Sequence, residues 1–145
     1  MVKIALVHDY LNQYGGAERV LEAILELFPR APLYTLFYDE AKTLKRFKKR
    51  KIRASFLNYF NIVKKRHRLF IPLFPFFARS RFGGINLGKK FDLIISSSAG
   101  YAKGIRYGGH PFHLSYCYTP LRYAWEWDGY FSDPAFTVIS KPIAN

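Results

Sequence analysis

Residues 4–28 read IALVHDYLNQYGGAERVLEAILELF, and this stretch limits the possible folds more than any other. Ile4, Ala5, Leu6 and Val7 form a continuous apolar run, which is the pattern of a strand covered on both faces. Beyond the glycine pair, Val20, Leu21, Ile24, Leu27 and Phe28 recur at spacings of three and four, with Glu18, Glu22 and Glu26 along the other side. That is the stripe of an amphipathic helix. Strand, glycine-containing loop and helix make a βα unit and predict a parallel sheet, whose ligands gather at the carboxyl ends of its strands. Gly15 and Gly16 have two explanations at this point: they satisfy a tight turn, or they let a ligand approach the backbone.

FDLIISSSAG repeats the α/β theme, with Leu93 to Ile95 as a buried strand and Ser96, Ser97, Ser98 and Gly100 marking its end. PFHLSYCYTP predicts a further strand over His113 to Tyr118, closed by Thr119 and Pro120. Leu33 to Phe37 is expected as a second strand, and KIRASFL as a return of the chain to the body. Asn61 to Phe77 is expected as a helix kinked at its prolines, and the preceding KTLKRFKKR as a short helix or exposed loop. The length suits one α/β domain, and a sheet with so few helices to support it is expected to be part of something larger.

If the strands are parallel, three loops meet at one rim. The first brings Asp9, Gly15, Gly16 and a helix N-terminus suited to an anion. The second brings Ser97, Ser98 and Lys103, and the third Tyr118, Thr119, Arg122 and Tyr123. Each has a plainer structural use as well. Asp9 can tie down its own loop, the serines can cap a helix, Arg122 can pair with Glu126, and Trp125 and Trp127 can cover the core. Together they describe a site for a polar ligand bearing phosphate or sugar.

Several chemistries lack their residues. The glycine pair is neither a GxGxxG fingerprint nor a P-loop, and no serine lies on a G-x-S-x-G elbow. Cys117 is the sole cysteine, and His8, His67, His110 and His113 have no tight zinc spacing, so no metal site is expected. LFIPLFPFF is apolar but far shorter than the roughly 20 residues of a membrane span.

The chain carries a formal charge of +13, and between Ala41 and Phe91 it places 16 of its 23 basic residues and no acidic one. Lys48, Lys49, Arg50 and Lys51, then Lys64, Lys65, Arg66 and Arg68, form two runs beside Leu/Pro/Phe-rich sequence. Such a surface faces anions, namely a phosphorylated ligand, an acidic membrane or nucleic acid, and the apolar neighbours weigh against the last. No RRM, KH or zinc-finger signature accompanies the charge. A general polyanion-binding module and a non-catalytic interaction domain are the competing assignments.

Three motifs, HDYLNQYGGAERVLEAILELFPRAPLYTLFYD, FDLIISSSAGYAKGI and YCYTPLRYAWEW, occur in that order. In this respect the chain resembles the amino-terminal half of retaining family 4 glycosyltransferases, over essentially residues 2 to 140. Within that group it is most similar to mannosyltransferase-like enzymes of bacterial polysaccharide and lipopolysaccharide assembly. The resemblance implies a GT-B fold, in which this half, a single Rossmann-like α/β domain over residues 1–145, receives a sugar or lipid-linked acceptor. A second domain, outside this sequence, would hold the nucleotide-sugar donor. It implies Gly15 and Gly16 beside the donor diphosphate, Asp9 near the acceptor, and no bound metal or cofactor. Tyr118 stands where many relatives carry the histidine of an HTP motif; tyrosine can hydrogen-bond but does not form a cation near neutral pH. The implied location is cytoplasmic, peripheral at the inner face of the cell membrane. Without the donor-binding half, this chain is expected neither to bind a nucleotide sugar tightly nor to transfer a hexose.

Overall fold

In a computed structural model the protein is described over residues 2–67, 70, 73–79, 87 and 90–118. Five strands form one sheet: β1 (Ile4–His8), β2 (Leu33–Thr35), β3 (Ile52–Ala54), β4 (Leu93–Ser98) and β5 (Phe112–Cys117). Their order is β3-β2-β1-β4-β5, and every pair is parallel. This is a Rossmann-like α/β arrangement. The chain leaves β1 toward one edge of the sheet and returns to the other side of it at β4, so the strand order switches beside β1. In open parallel sheets that switch leaves a crevice at the carboxyl ends.

The alternation along each strand divides the core in two. Leu6, Leu33 and Ile95 pack with Leu21 and Leu25 of helix α1 (Gly16–Leu27) on one face. Ala5, Val7, Tyr34 and Ile94 meet Leu57, Val63, Phe74, Tyr101 and Ile105 on the other. The second layer is assembled from short pieces, namely a 3-10 turn at Phe56–Tyr59, helix α2 (Asn61–Lys65) and helix α3 (Phe74–Arg79). Of the expected kinked helix over Asn61 to Phe77, the described residues form two short helices: the first ends where Arg66 leaves helical geometry, and Pro75 sits in the first turn of the second, where its missing N–H costs no intrahelical bond.

Three further expectations are refined. The second strand stops at Thr35, because Leu36 and Phe37 continue as irregular chain with both side chains buried. KIRASFL supplies the edge strand β3 and the turn after it. The basic stretch 40–50 is a series of turns, with Leu44 and Lys45 at positive φ, anchored by the fully buried Phe47 and by Thr43 donating to the Asp39 carbonyl at 2.9 Å. Among the described residues no helix is long and apolar enough to cross a membrane.

Candidate functional site

The β4 strand runs through all three serines, and this fixes the character of the rim. Register pairs His8 with Ser97, and Ser97 with Tyr116. His8 faces α1, as does Leu6 two residues earlier. Its Nδ1 lies 2.9 Å from the Ser97 carbonyl oxygen and 3.0 Å from Ser97 Oγ. A carbonyl can only accept, so Nδ1 carries the proton. Ser97 Oγ is 2.6 Å from the Tyr118 hydroxyl, which donates to the Ala17 carbonyl at 3.0 Å. One line of hydrogen bonds thus joins β1, β4, the residue after β5 and the first turn of α1.

Glu18 closes the line from below. It is buried, accepts from the Gly15 N–H at 2.8 Å, and places its other oxygen 3.8 Å from His8 Nε2. Burial alone would push its carboxyl up, but the facing His8 and the Gly15 N–H outweigh it and hold the group below the usual glutamate range. Burial pushes the Tyr118 phenol up, so its hydroxyl stays protonated at neutral pH.

Asp9 forms a second knot. Its Oδ1 accepts from Ser98 Oγ (2.9 Å) and from the N–H groups of Tyr101 (2.7 Å) and Ala102 (2.6 Å). Its Oδ2 accepts from the N–H groups of Ala99 and Gly100, both at 2.8 Å. One carboxylate therefore ties the whole turn after β4 to the end of β1. The bond set matches the loop-tying role of Asp9, and the carboxylate has little acceptor capacity left for a ligand.

The residues singled out from sequence sort into four groups. Gly15, Gly16, Ser97, Ser98, Asp9 and Tyr118 do meet at the carboxyl rim, with Asp9, Ser97 and Ser98 buried beneath it. Lys103 stands half-exposed in the 3-10 turn Ala102–Gly104, its Nζ 3.9 Å from Cys117 Sγ. Thr119 and Arg122 lie outside the described residues, as does Arg68 of the second basic run. Lys48, Lys49, Lys51, Lys65 and Arg66 are exposed, with Arg50 and Lys64 half-buried. Glu18 has a structural place in the site that its position on the charged side of the helix concealed. Its spacing of three from Gly15 is that of a capping glutamate, and this was the available signal.

What remains open at the rim is backbone. Gly16 is exposed, its φ is not in the left-handed region, and a Cβ built there would meet nothing within 4 Å. Neither the conformation nor the packing of the chain calls for glycine at this position. The N–H groups of the first turn of α1 point out of the helix without an intrahelical acceptor, and this end carries the positive pole of the helix dipole. The rim therefore offers amide donors in open space beside a neutral phenol, a combination that receives an oxyanion without itself transferring a proton.

Two concavities lie elsewhere. A groove of about 840 Å³ at the amino-terminal edge of the sheet is lined in part by Lys3, Phe28, Arg30, Arg53 and Phe91, and takes in none of the predicted site residues. A smaller one of about 520 Å³ beside β3 includes Lys48 and Arg50. Among the described residues no cluster of three or more His, Cys, Asp or Glu could hold a metal ion. Comparison of the chain with family models, curated proteins and solved structures found no match.

Proposed function

We propose that this chain is the acceptor-side domain of a retaining glycosyltransferase of GT-B type, which moves a hexose, mannose being the first candidate, from a nucleotide sugar to a polysaccharide or lipid-linked acceptor. The observation that carries the proposal is Gly16, a glycine that the chain's own geometry does not require, at an exposed helix start beside Tyr118. A diphosphate leaving group is an anion, so its departure needs amide donors and positive charge rather than a strong acid. The first turn of α1 meets the first demand. The Tyr118 hydroxyl, held by Ala17 and Ser97, presents a fixed neutral dipole and the edge of a ring to the sugar. Asp9, His8 and Glu18 hold the loops in register beneath it. In an enzyme of this type the bulk of the countercharge, and the donor's nucleotide, come from a second domain facing this one. The basic flank adds an anionic membrane surface as companion, at the inner face of the cell membrane.

Amide chemical shifts test the reading. Titrating the labelled protein with nucleoside diphosphate hexoses and with short glycan acceptors should perturb Gly15, Gly16, Ala17, Ala99 to Lys103 and Tyr118 as one group. Shifts confined to the groove at the amino-terminal edge, or absent at millimolar ligand, would overturn it.

A further inference from the structure

Among the described residues eleven large hydrophobic side chains are exposed, and five of them fall in one short part of the chain. They are Tyr59 (86% exposed), Phe60 (50%), Ile62 (58%), Leu73 (49%) and Phe76 (70%). Isolated exposed hydrophobics are ordinary on a soluble surface, whereas a group of them marks a contact. These pieces also adjoin in space. Phe56 meets Phe60 and Phe77 edge-on at 6.0 and 5.7 Å, and Phe77 meets Phe76 at 5.8 Å.

The inner side of the same segment is fully engaged. Leu57, Val63 and Phe74 are buried in the core, and Phe74 lies 6.0 Å from both Tyr10 and Phe37 and 5.5 Å from Tyr101. Those three rings follow the carboxyl ends of β1, β2 and β4. The segment is thus apolar on two sides, one satisfied by the domain and one uncovered, and it is fixed to the same edge of the sheet as the rim. Lys64, Lys65 and Arg66 sit among the uncovered side chains, and no acidic residue occurs from 41 to 91 to neutralise them.

We infer that Tyr59, Phe60, Ile62, Leu73 and Phe76 form a wedge that inserts into the interfacial layer of an anionic bilayer, with Lys64, Lys65 and Arg66 on the lipid phosphates. This rests on the membrane partner proposed above and goes further, because it makes attachment hydrophobic as well as electrostatic. Apolar groups and cations interleaved at this spacing match the two strata of a leaflet surface, acyl carbon below and phosphate above. A tyrosine at the margin suits the same boundary.

The full chain, vesicles of phosphatidylcholine with and without phosphatidylglycerol, and a lipid monolayer provide the test. Wild type should sediment with the anionic vesicles, keep part of that binding in high salt, and raise the monolayer pressure. The double variant Phe60→Ser/Phe76→Ser should lose the salt-resistant part and the pressure rise, with vesicle affinity falling on the order of tenfold to a hundredfold. Neither side chain belongs to the buried core, so the variant should stay folded, with a melting temperature lowered only by the loss of the edge-on contacts to Phe56 and Phe77. Lys64→Glu/Lys65→Glu should instead remove the salt-sensitive part. Binding abolished by salt without monolayer penetration would overturn the wedge and leave the membrane partner standing. No binding to either vesicle would remove both. A concentration-dependent dimer that disappears in the Phe60→Ser/Phe76→Ser variant would reassign the patch to contact between copies and overturn the wedge.

Discussion

The carboxyl rim and the basic flank of this domain solve opposite problems. At the rim the polar side chains are buried and engaged: Asp9 accepts five hydrogen bonds, and His8, Ser97 and Tyr118 form a single line ending on a backbone carbonyl. Outside these buried groups stand the exposed Gly16 and the half-exposed Lys103 and Tyr118. Across 41–66 the reverse holds, with cations and apolar groups exposed and the anchoring left to a few buried residues such as Thr43, Phe47, Leu57 and Val63. The first region is built for position and the second for summed attraction. One substitution should therefore disable the rim, while the flank should respond in proportion to the number of residues changed.

The largest effect that would expose this contrast is Asp9→Ala. It leaves buried N–H donors after β4 without an acceptor, and the expected loss is about 3–5 kcal/mol of unfolding free energy, read as a lower urea midpoint. A change below about 1 kcal/mol would show that the knot is replaceable by water.

Glu18→Gln comes next, at on the order of 1–3 kcal/mol near neutral pH, from the loss of a charged acceptor beside His8 and the Gly15 N–H. Its pH signature has a definite sign. The folded protein holds this carboxyl below its ordinary value of 4.5, so its contribution is present above that pH and is lost as pH falls through the depressed folded value. Midpoints measured from pH 6 downward should fall less steeply in the variant than in wild type.

Gly16→Ala sharpens the comparison from the other side. The added methyl has open space and a favourable helical position, so stability should move by no more than about 1 kcal/mol, in the stabilising direction. Ligand-induced shifts of the rim amides should nevertheless weaken. Equal ligand response in the two proteins would remove Gly16 from the site.

Least of all for stability is Lys48→Ala/Lys49→Ala, expected within about 0.5 kcal/mol because both side chains are exposed. Vesicle binding should fall by about 1 kcal/mol for each charge removed.

The sequence disclosed the βα unit and the parallel sheet, because an apolar run followed by a stripe of period 3.6 is a local property. With the strands parallel, the ends of β1, β4 and β5 fall on one side of the sheet, as that pattern requires. The sequence concealed the role of the serines. A strand ending in three hydroxyls reads as a loop, yet Ser96 meets His113 Nε2 at 3.0 Å, Ser97 meets His8 and Tyr118, and Ser98 meets Asp9, so each is satisfied inside the sheet. Those partners lie on other strands and loops, and no local pattern announces them. Strand β3 was obscured differently. Three residues at a sheet edge, with Arg53 outward and stacked on Tyr34 at 5.6 Å, carry too little apolar signal to stand out from a basic run.

The Asp9 knot also sets an order of events in the assembly of the chain. Its donors come from residues 89 to 93 positions further along, so the carboxylate waits unpartnered until β4 has been added beside β1. Closing so long a loop costs entropy before any of the five bonds forms. During synthesis the first βα unit can be complete while the carboxyl rim is still unmade, and a ribosome stalled before residue 100 would hold a half-sheet with an acidic group and no turn to receive it.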